Sequence, residues 1–161
     1  LEIELMEIPN ILVKDAADQF KKACMAVNEV EEGLVLPLIN LATVAIELYL
    51  KSLSADEVRT PIDSGSSCVE ELYAKAKSVG GNGHGLMKRL EVIPEAFQKR
   101  LISAYKAEFG GCIKAVLSQF EGAFQASRYP YEKGNDFGNF TIDDLINMTN
   151  FLSHFVELES N

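Results

Sequence analysis

Arg128, Tyr129, Tyr131 and Glu132 crowd into the stretch ASRYPYEKGNDFGN at residues 126–139. A guanidinium is a planar fork of donors that can grip a phosphate or carboxylate in two places. A tyrosine ring offers a face on which a nucleobase stacks. Pro130 stiffens the backbone between the two tyrosines. Two readings follow. Arg128 binds phosphate while a tyrosine holds a base, or the stretch is a loop anchored by buried tyrosine rings with Arg128 paired to a carboxylate.

Other residues invite the same question. Glu47 and Lys51 stand one helical turn apart, acid before base, which is the favourable order for an ion pair. They read either as a solvated rim pair or as a polar contact at a dimer seam or pocket edge. His84 sits between glycines at a helix start, where it can cap the helix or meet an anion drawn by free backbone N–H groups. Lys88 and Arg89 follow one turn later. His154 lies near the end of the last helix, where a dipole contact accounts for it. Gly80 to Gly85 is glycine-rich but lacks the GK[ST] of a phosphate loop. No GxSxG elbow and no ExxH pair is present, which disfavours a serine hydrolase and a di-iron bundle. Cys24, Cys68 and Cys112 are widely spaced without a CxxC pair, so reduced thiols are expected, with neither disulfide nor zinc site.

These residues need elements to position them. Helical spacing of Ala16, Phe20, Ala23, Cys24, Val27 and Val30 predicts a helix from Asp15 to about Glu32, ended by Gly33. Pro37 suits the first residue of a second helix, running to about Leu53. That helix is apolar on most of its circumference and too interrupted by polar residues for a membrane span, so it belongs at the centre of the fold. Residues 55–67 read as a loop, and Ser67 with Glu70 suggests a cap for a short helix over 68–79. Further helices are expected at 84–91, 94–105 and 109–125, the last with Phe109, Ile113, Val116, Leu117, Phe120 and Phe124 on one stripe. Gly110–Gly111 leaves open whether that stretch is one element. Thr141 caps a final helix whose inner face carries Ile142, Leu145, Ile146, Thr149, Leu152, Phe155 and Val156.

No strand alternation competes with these patterns. The expectation is an all-α fold: an antiparallel up-and-down bundle of four to five main helices, in one domain spanning residues 1–161. Its core covers about 15–158, with 1–14 as a lead-in segment. The net charge of −9 argues against a protein that coats nucleic acid, yet leaves room for a small basic groove holding a nucleotide or one RNA loop. No signal peptide is visible in the residues shown, which fits a cytoplasmic protein.

Three pieces in this order carry a resemblance: ATVAIELYLKSL at 42–53, GHGLMKRL at 83–90 and SRYPYE at 127–132. Together they resemble the HEPN domain family of small all-helical proteins. The resemblance covers roughly residues 15–158. It implies a bundle of four or five helices, usually a homodimer. It also implies a nucleotide-binding module, a partner of a nucleotidyltransferase, or a metal-independent ribonuclease of toxin–antitoxin or phage-defence systems. The family's ribonucleases use an arginine and, with four to six residues between, a histidine that moves protons. Arg128 matches the family's R-Y-P arginine, but Lys133, Gly134 and Asn135 stand where the histidine is expected. None of them titrates near neutral pH.

The sequence therefore favours a binding or interaction module for a nucleotide or RNA, with a degenerate catalytic motif. Arg128, Tyr129, Tyr131, Glu132, Glu47 and Lys51 are its candidate ligand-binding residues. No cofactor and no metal is implied, and membrane association is not expected. The rivals are a ribonuclease using Arg128 with His84 as a displaced base, and a structural, antitoxin-like or nucleotidyltransferase-partner protein.

Overall fold

The computed structural model describes residues 8–30, 32–57, 76–78 and 85–161. His84, Cys68 and the glycine-rich 80–84 lie outside the described residues, as does most of the helix expected at 68–79.

The chain is an all-α bundle built around one apolar helix. Helix α1 spans Ile11–Asn28. It starts earlier than its apolar spacing predicts, because the Asn10 side chain accepts from the N–H groups of Leu12 and Val13, both at 3.1 Å. It also stops at Asn28, short of Gly33. Helix α2 spans Val35–Ser52, starting two residues before Pro37, which sits within its first turn, and ending close to the expected Leu53. The Asn10 N–H donates to the Ser52 carbonyl at 2.8 Å, so the start of α1 meets the end of α2 and the pair is antiparallel. By length and composition alone α2 could cross a membrane. Here Ile46, Tyr49 and Leu50 are fully enclosed, and α2 packs against four other helices of the bundle. Each such aliphatic side chain contributes about 2 kcal/mol by leaving water.

Two three-residue strands follow, β1 at Ala55–Glu57 and β2 at Ala76–Ser78, paired antiparallel with Asp56 opposite Lys77. This corrects the helix expected to reach residue 79. Backbone pairing with β1 takes over where a local cap suggested helix.

Helix α3 spans Leu86–Glu91 and α4 spans Glu95–Phe109. Gly110 adopts φ +71°, the left-handed conformation that ends a helix and that glycine reaches without strain. The expected helix over 109–125 is therefore broken. Phe109 closes α4, α5 runs Ile113–Gln119, and α6 runs Ala123–Arg128. Helix α7 spans Ile142–Glu159. Its Thr141 hydroxyl accepts from the Asp144 N–H, and the Asp144 carboxylate accepts from the Thr141 N–H, a reciprocal capping box.

Pairings along α7 fix its direction. Lys14 meets Glu157 while Lys21 meets Ser153, so α1 and α7 run opposite ways. Arg100 meets Glu159 while Tyr105 packs edge-on against Phe151, so α4 opposes α7 as well. The inner face of α7 buries Leu145, Thr149, Leu152, Phe155 and Val156 as its spacing indicates, and adds Met148 and Phe151.

Candidate functional site

The site begins with a helix that ends one turn later than expected. Pro130 restricts the residue before it, Tyr129, which sits at φ −130° and ψ 57°. Arg128 is outside that restriction and completes α6. It is a helix residue, which corrects the loop assignment. As a helix residue it shares a face with Phe124 and Gln125, at spacings of four and three, while Glu121 stands in the turn just before α6. Together with Gly85 and Tyr129 these side chains line a cleft of about 460 Å³.

The Arg128 guanidinium is held by rings. Its central carbon lies 5.3 Å from the Phe124 centroid and 5.5 Å from that of Tyr129. Such contacts are worth about 0.5–1 kcal/mol at an exposed site. Among the described residues no carboxylate forms an ion pair with Arg128. Cation–π contact with the two rings thus takes the place of the expected carboxylate partner.

At the far end, Glu121 accepts the Met87 N–H at 3.2 Å. Its other oxygen, Oε1, passes so close to Gly85 that a Cβ there would lie 2.8 Å away. Glycine at 85 makes room for this carboxylate. Helix α6 is itself anchored from behind, where the Asn40 amide donates to the Ser127 hydroxyl at 3.3 Å.

The segment after Arg128 is shaped by its backbone. Asn135 donates to the Tyr129 carbonyl at 2.7 Å, and the Glu132 N–H donates to the same oxygen at 3.1 Å. Gly122 and Gly138 let this segment lie directly on the end of α5. A Cβ at Gly138 would collide with the Gln119 carbonyl, and one at Gly122 would come within 2.6 Å of the Asp136 carbonyl. Phe140 packs edge-on to Phe120, with centroids 5.3 Å apart.

The structure divides the sequence-predicted residues. Arg128 and Tyr129 line the cleft; Tyr131, Glu132, Glu47 and Lys51 do not. Tyr131 is 79% exposed, so it is no buried anchor; its ring meets only the edge of Tyr129, 6.5 Å away. Glu132 is exposed. Glu47 is only 8% exposed, which corrects the solvated-rim reading, and Lys51 is half-buried in the last turn of α2. The neighbouring helix α3 carries Arg89, only 2% exposed, so the packing of α2 on α3 encloses charges of both signs. His154 is exposed on α7, away from the cleft lining. Gln125 was missed because the face it shares with Arg128 becomes visible only when Arg128 is placed on the helix, and Glu121 because it lies in a turn that interrupts an expected helix.

The thiols differ. Burial pushes the Cys24 thiol up, and it donates weakly to the Leu38 carbonyl. Cys112 is exposed, and the backbone N–H groups of Ala115 and Lys114 push its thiol down. Among the described residues, no group of three or more His, Cys, Asp or Glu could hold a metal ion.

Comparison of the chain with protein-family models, with curated proteins and with solved structures gives no match. The functional reading therefore rests on the residues themselves.

Proposed function

We propose that this chain is a HEPN-like helical module that binds a phosphate-bearing nucleotide in the cleft at Arg128. One observation carries the reading: a guanidinium braced by two aromatic rings, with no described carboxylate partner, lines a concave site. A cleft of about 460 Å³ lies within the usual size of small-ligand sites. The net charge of −9 opposes a long polyanion and favours a single nucleotide unit, free or at an unpaired position of RNA. The protein acts in the cytoplasm as a homodimer, without a metal. Val30, Leu34, Val35 and Leu36 support the dimer, as an exposed apolar patch around the α1–α2 turn. Sedimentation showing only monomer at micromolar concentration would count against that part.

Calorimetric titration with nucleoside monophosphates tests the main reading. Saturable binding that Arg128→Ala abolishes is expected. Absence of binding to every nucleotide by folded wild-type protein overturns it, and leaves a structural or nucleotidyltransferase-partner role.

A second reading, a metal-independent ribonuclease, has one observation in its favour. Gly85 lines the cleft, and His84 precedes it in the chain. RNA cleavage in EDTA, lost in both Arg128→Ala and His84→Ala, would establish it over the binding module.

A further inference from the structure

We infer that the cleft is selective for a guanine base, and that Glu121 is the residue that selects it. This rests on the nucleotide reading of the cleft and goes one step further, to the identity of the base. The two ends of the cleft differ in chemistry. Arg128 supplies only donors, and suits a phosphate. Glu121 supplies only acceptors, and suits a ligand edge rich in N–H groups. Glu121 lies in the turn before α6 and Arg128 is its last residue, so the six-residue helix, about 9 Å long, stands between them. That separation puts a base edge at one end and a 5′-phosphate at the other.

The carboxylate is set in place before any ligand arrives. Oε2 is engaged by the Met87 N–H, which fixes the group's orientation. Oε1 faces the space left by the missing side chain of Gly85, and among the described residues no donor reaches it. Gln125, in α6, lines the same cleft, and its amide both donates and accepts. An acceptor beside a donor is therefore what the cleft offers to a base edge.

Guanine presents the complement. Its Watson–Crick edge carries the N1–H and N2–H donors side by side, next to the O6 acceptor. The two donors suit Glu121, and O6 suits the Gln125 amide. Adenine sets an acceptor, N1, where guanine has the N1–H donor, and turns that lone pair toward the carboxylate. Uracil has one ring donor between two carbonyl oxygens, which repel a carboxylate on either side. Phe124 and Tyr129 supply ring faces that any base accepts, so they add affinity without choosing.

The experiment is calorimetric titration of the full chain with GMP, IMP, AMP, UMP and inorganic phosphate. The proteins compared are wild type, Glu121→Gln and Arg128→Ala, each shown folded by circular dichroism. Glutamine at 121 can still accept the Met87 N–H, so the start of α3 is preserved. We expect wild type to bind GMP roughly tenfold to a hundredfold more tightly than AMP or UMP. IMP, which lacks only the 2-amino group, should fall between. Glu121→Gln should remove the preference for GMP while keeping the weaker binding shared by all nucleotides. Arg128→Ala should weaken all of them alike.

Equal affinity for GMP and AMP overturns the guanine inference and leaves the nucleotide site standing. So does a GMP preference that survives in Glu121→Gln. No binding of any nucleotide overturns the site and the inference together. A short single-stranded RNA with one guanosine, set beside the same strand with adenosine there, identifies the source of the base. If only the guanosine strand binds, with GMP weaker, guanosine within RNA is the ligand. If GMP is the tighter, the free nucleotide is.

Discussion

The polar network at Lys14 and the cleft at Arg128 both join charge to aromatic rings beside α2, and they end in opposite states. Lys14 bridges Asp18 at 2.9 Å and Glu157 at 2.8 Å. The Tyr49 hydroxyl donates to the second oxygen of Asp18 at 2.6 Å. Every charge there meets a partner, and the network ties α1, α2 and α7 together. Arg128, by contrast, is braced by Phe124 and Tyr129 but pairs with no described carboxylate. A charge that holds the fold is spent on its neighbours. A charge that is positioned and left unspent is available to a ligand. If that distinction is right, variants in the network should lose stability, and variants in the cleft should lose binding.

Tyr49→Ala should show the largest effect. The ring is wholly enclosed on α2 and its loss leaves a cavity and removes one of the two donors to Asp18, at about 3–5 kcal/mol in urea denaturation. Tyr49→Phe keeps the ring and isolates the hydroxyl. Burial pushes the Tyr49 phenol above its usual range, followed by the contribution of its bond to Asp18. Its bonds to Glu157 and Asp18 push Lys14 up as well. Both folded values are raised, so both contributions are complete below the unfolded pKa values near 10 and are lost as pH rises through the folded ones. Stability should be flat in these groups around neutrality and fall above about pH 10. Tyr49→Phe should flatten that alkaline fall. An unchanged profile in the variant would remove Tyr49 from the account.

Gly138→Ala comes next, and it attacks the scaffold behind the cleft. At φ +88°, with the Gln119 carbonyl where a Cβ would go, alanine should cost about 1–3 kcal/mol. Because the segment it anchors follows directly from Tyr129, ligand affinity should drop with stability. A variant that melts early yet binds normally would separate this segment from the cleft.

Lys14→Met should cost less, about 1–2 kcal/mol, because Glu157 is well exposed and water screens part of that pair. Thermal melts at low and high salt check it: the gap from wild type should narrow as salt rises. Nucleotide affinity should not change. If it does, the two regions are coupled and the contrast between them is too simple.

Much of this arrangement was legible in the sequence. The centre of the bundle was, because α2 is apolar nearly all round and α7 carries a marked stripe behind Thr141. The boundaries were not, wherever a single backbone detail decides them. Asn10 starts α1 early by capping it, in a turn where Ile11, Leu12 and Val13 form an apolar run that shows no helical spacing. Gly110 ends α4 through a left-handed turn and so splits a stripe that looks continuous. At the site, Arg128 and Tyr129 were recognised by type, but Pro130 suggested a loop around both. Its restriction falls on Tyr129 alone, and the helix therefore carries Arg128 onto the face of Phe124 and Gln125, into the cleft that Glu121 also lines. Glu47 misled in another way: a charged pair one turn apart looks solvated until the packing of α3 on α2 is known.

Arg128→Ala should have the smallest effect on stability, and it decides between the two descriptions of that residue. If Arg128 anchors its segment, removing it should unfold the chain as readily as Lys14→Met does. The structure argues otherwise. The side chain is exposed, makes no ion pair among the described residues, and rests on two rings that pack without it. The Tyr129 carbonyl is held by Asn135 and by the backbone of Glu132, not by Arg128. The change in unfolding free energy should therefore stay near or below about 1 kcal/mol, the worth of its contacts with the rings. Binding should respond differently, since a guanidinium facing phosphate is lost together with both of its donor edges. Arg128→Lys sharpens the test. Lysine keeps the charge but neither the flat stacking surface nor the paired donors, so it should restore only part of the affinity. Full rescue by lysine would mean that charge alone matters, and that the two rings beneath Arg128 play no part in presenting it.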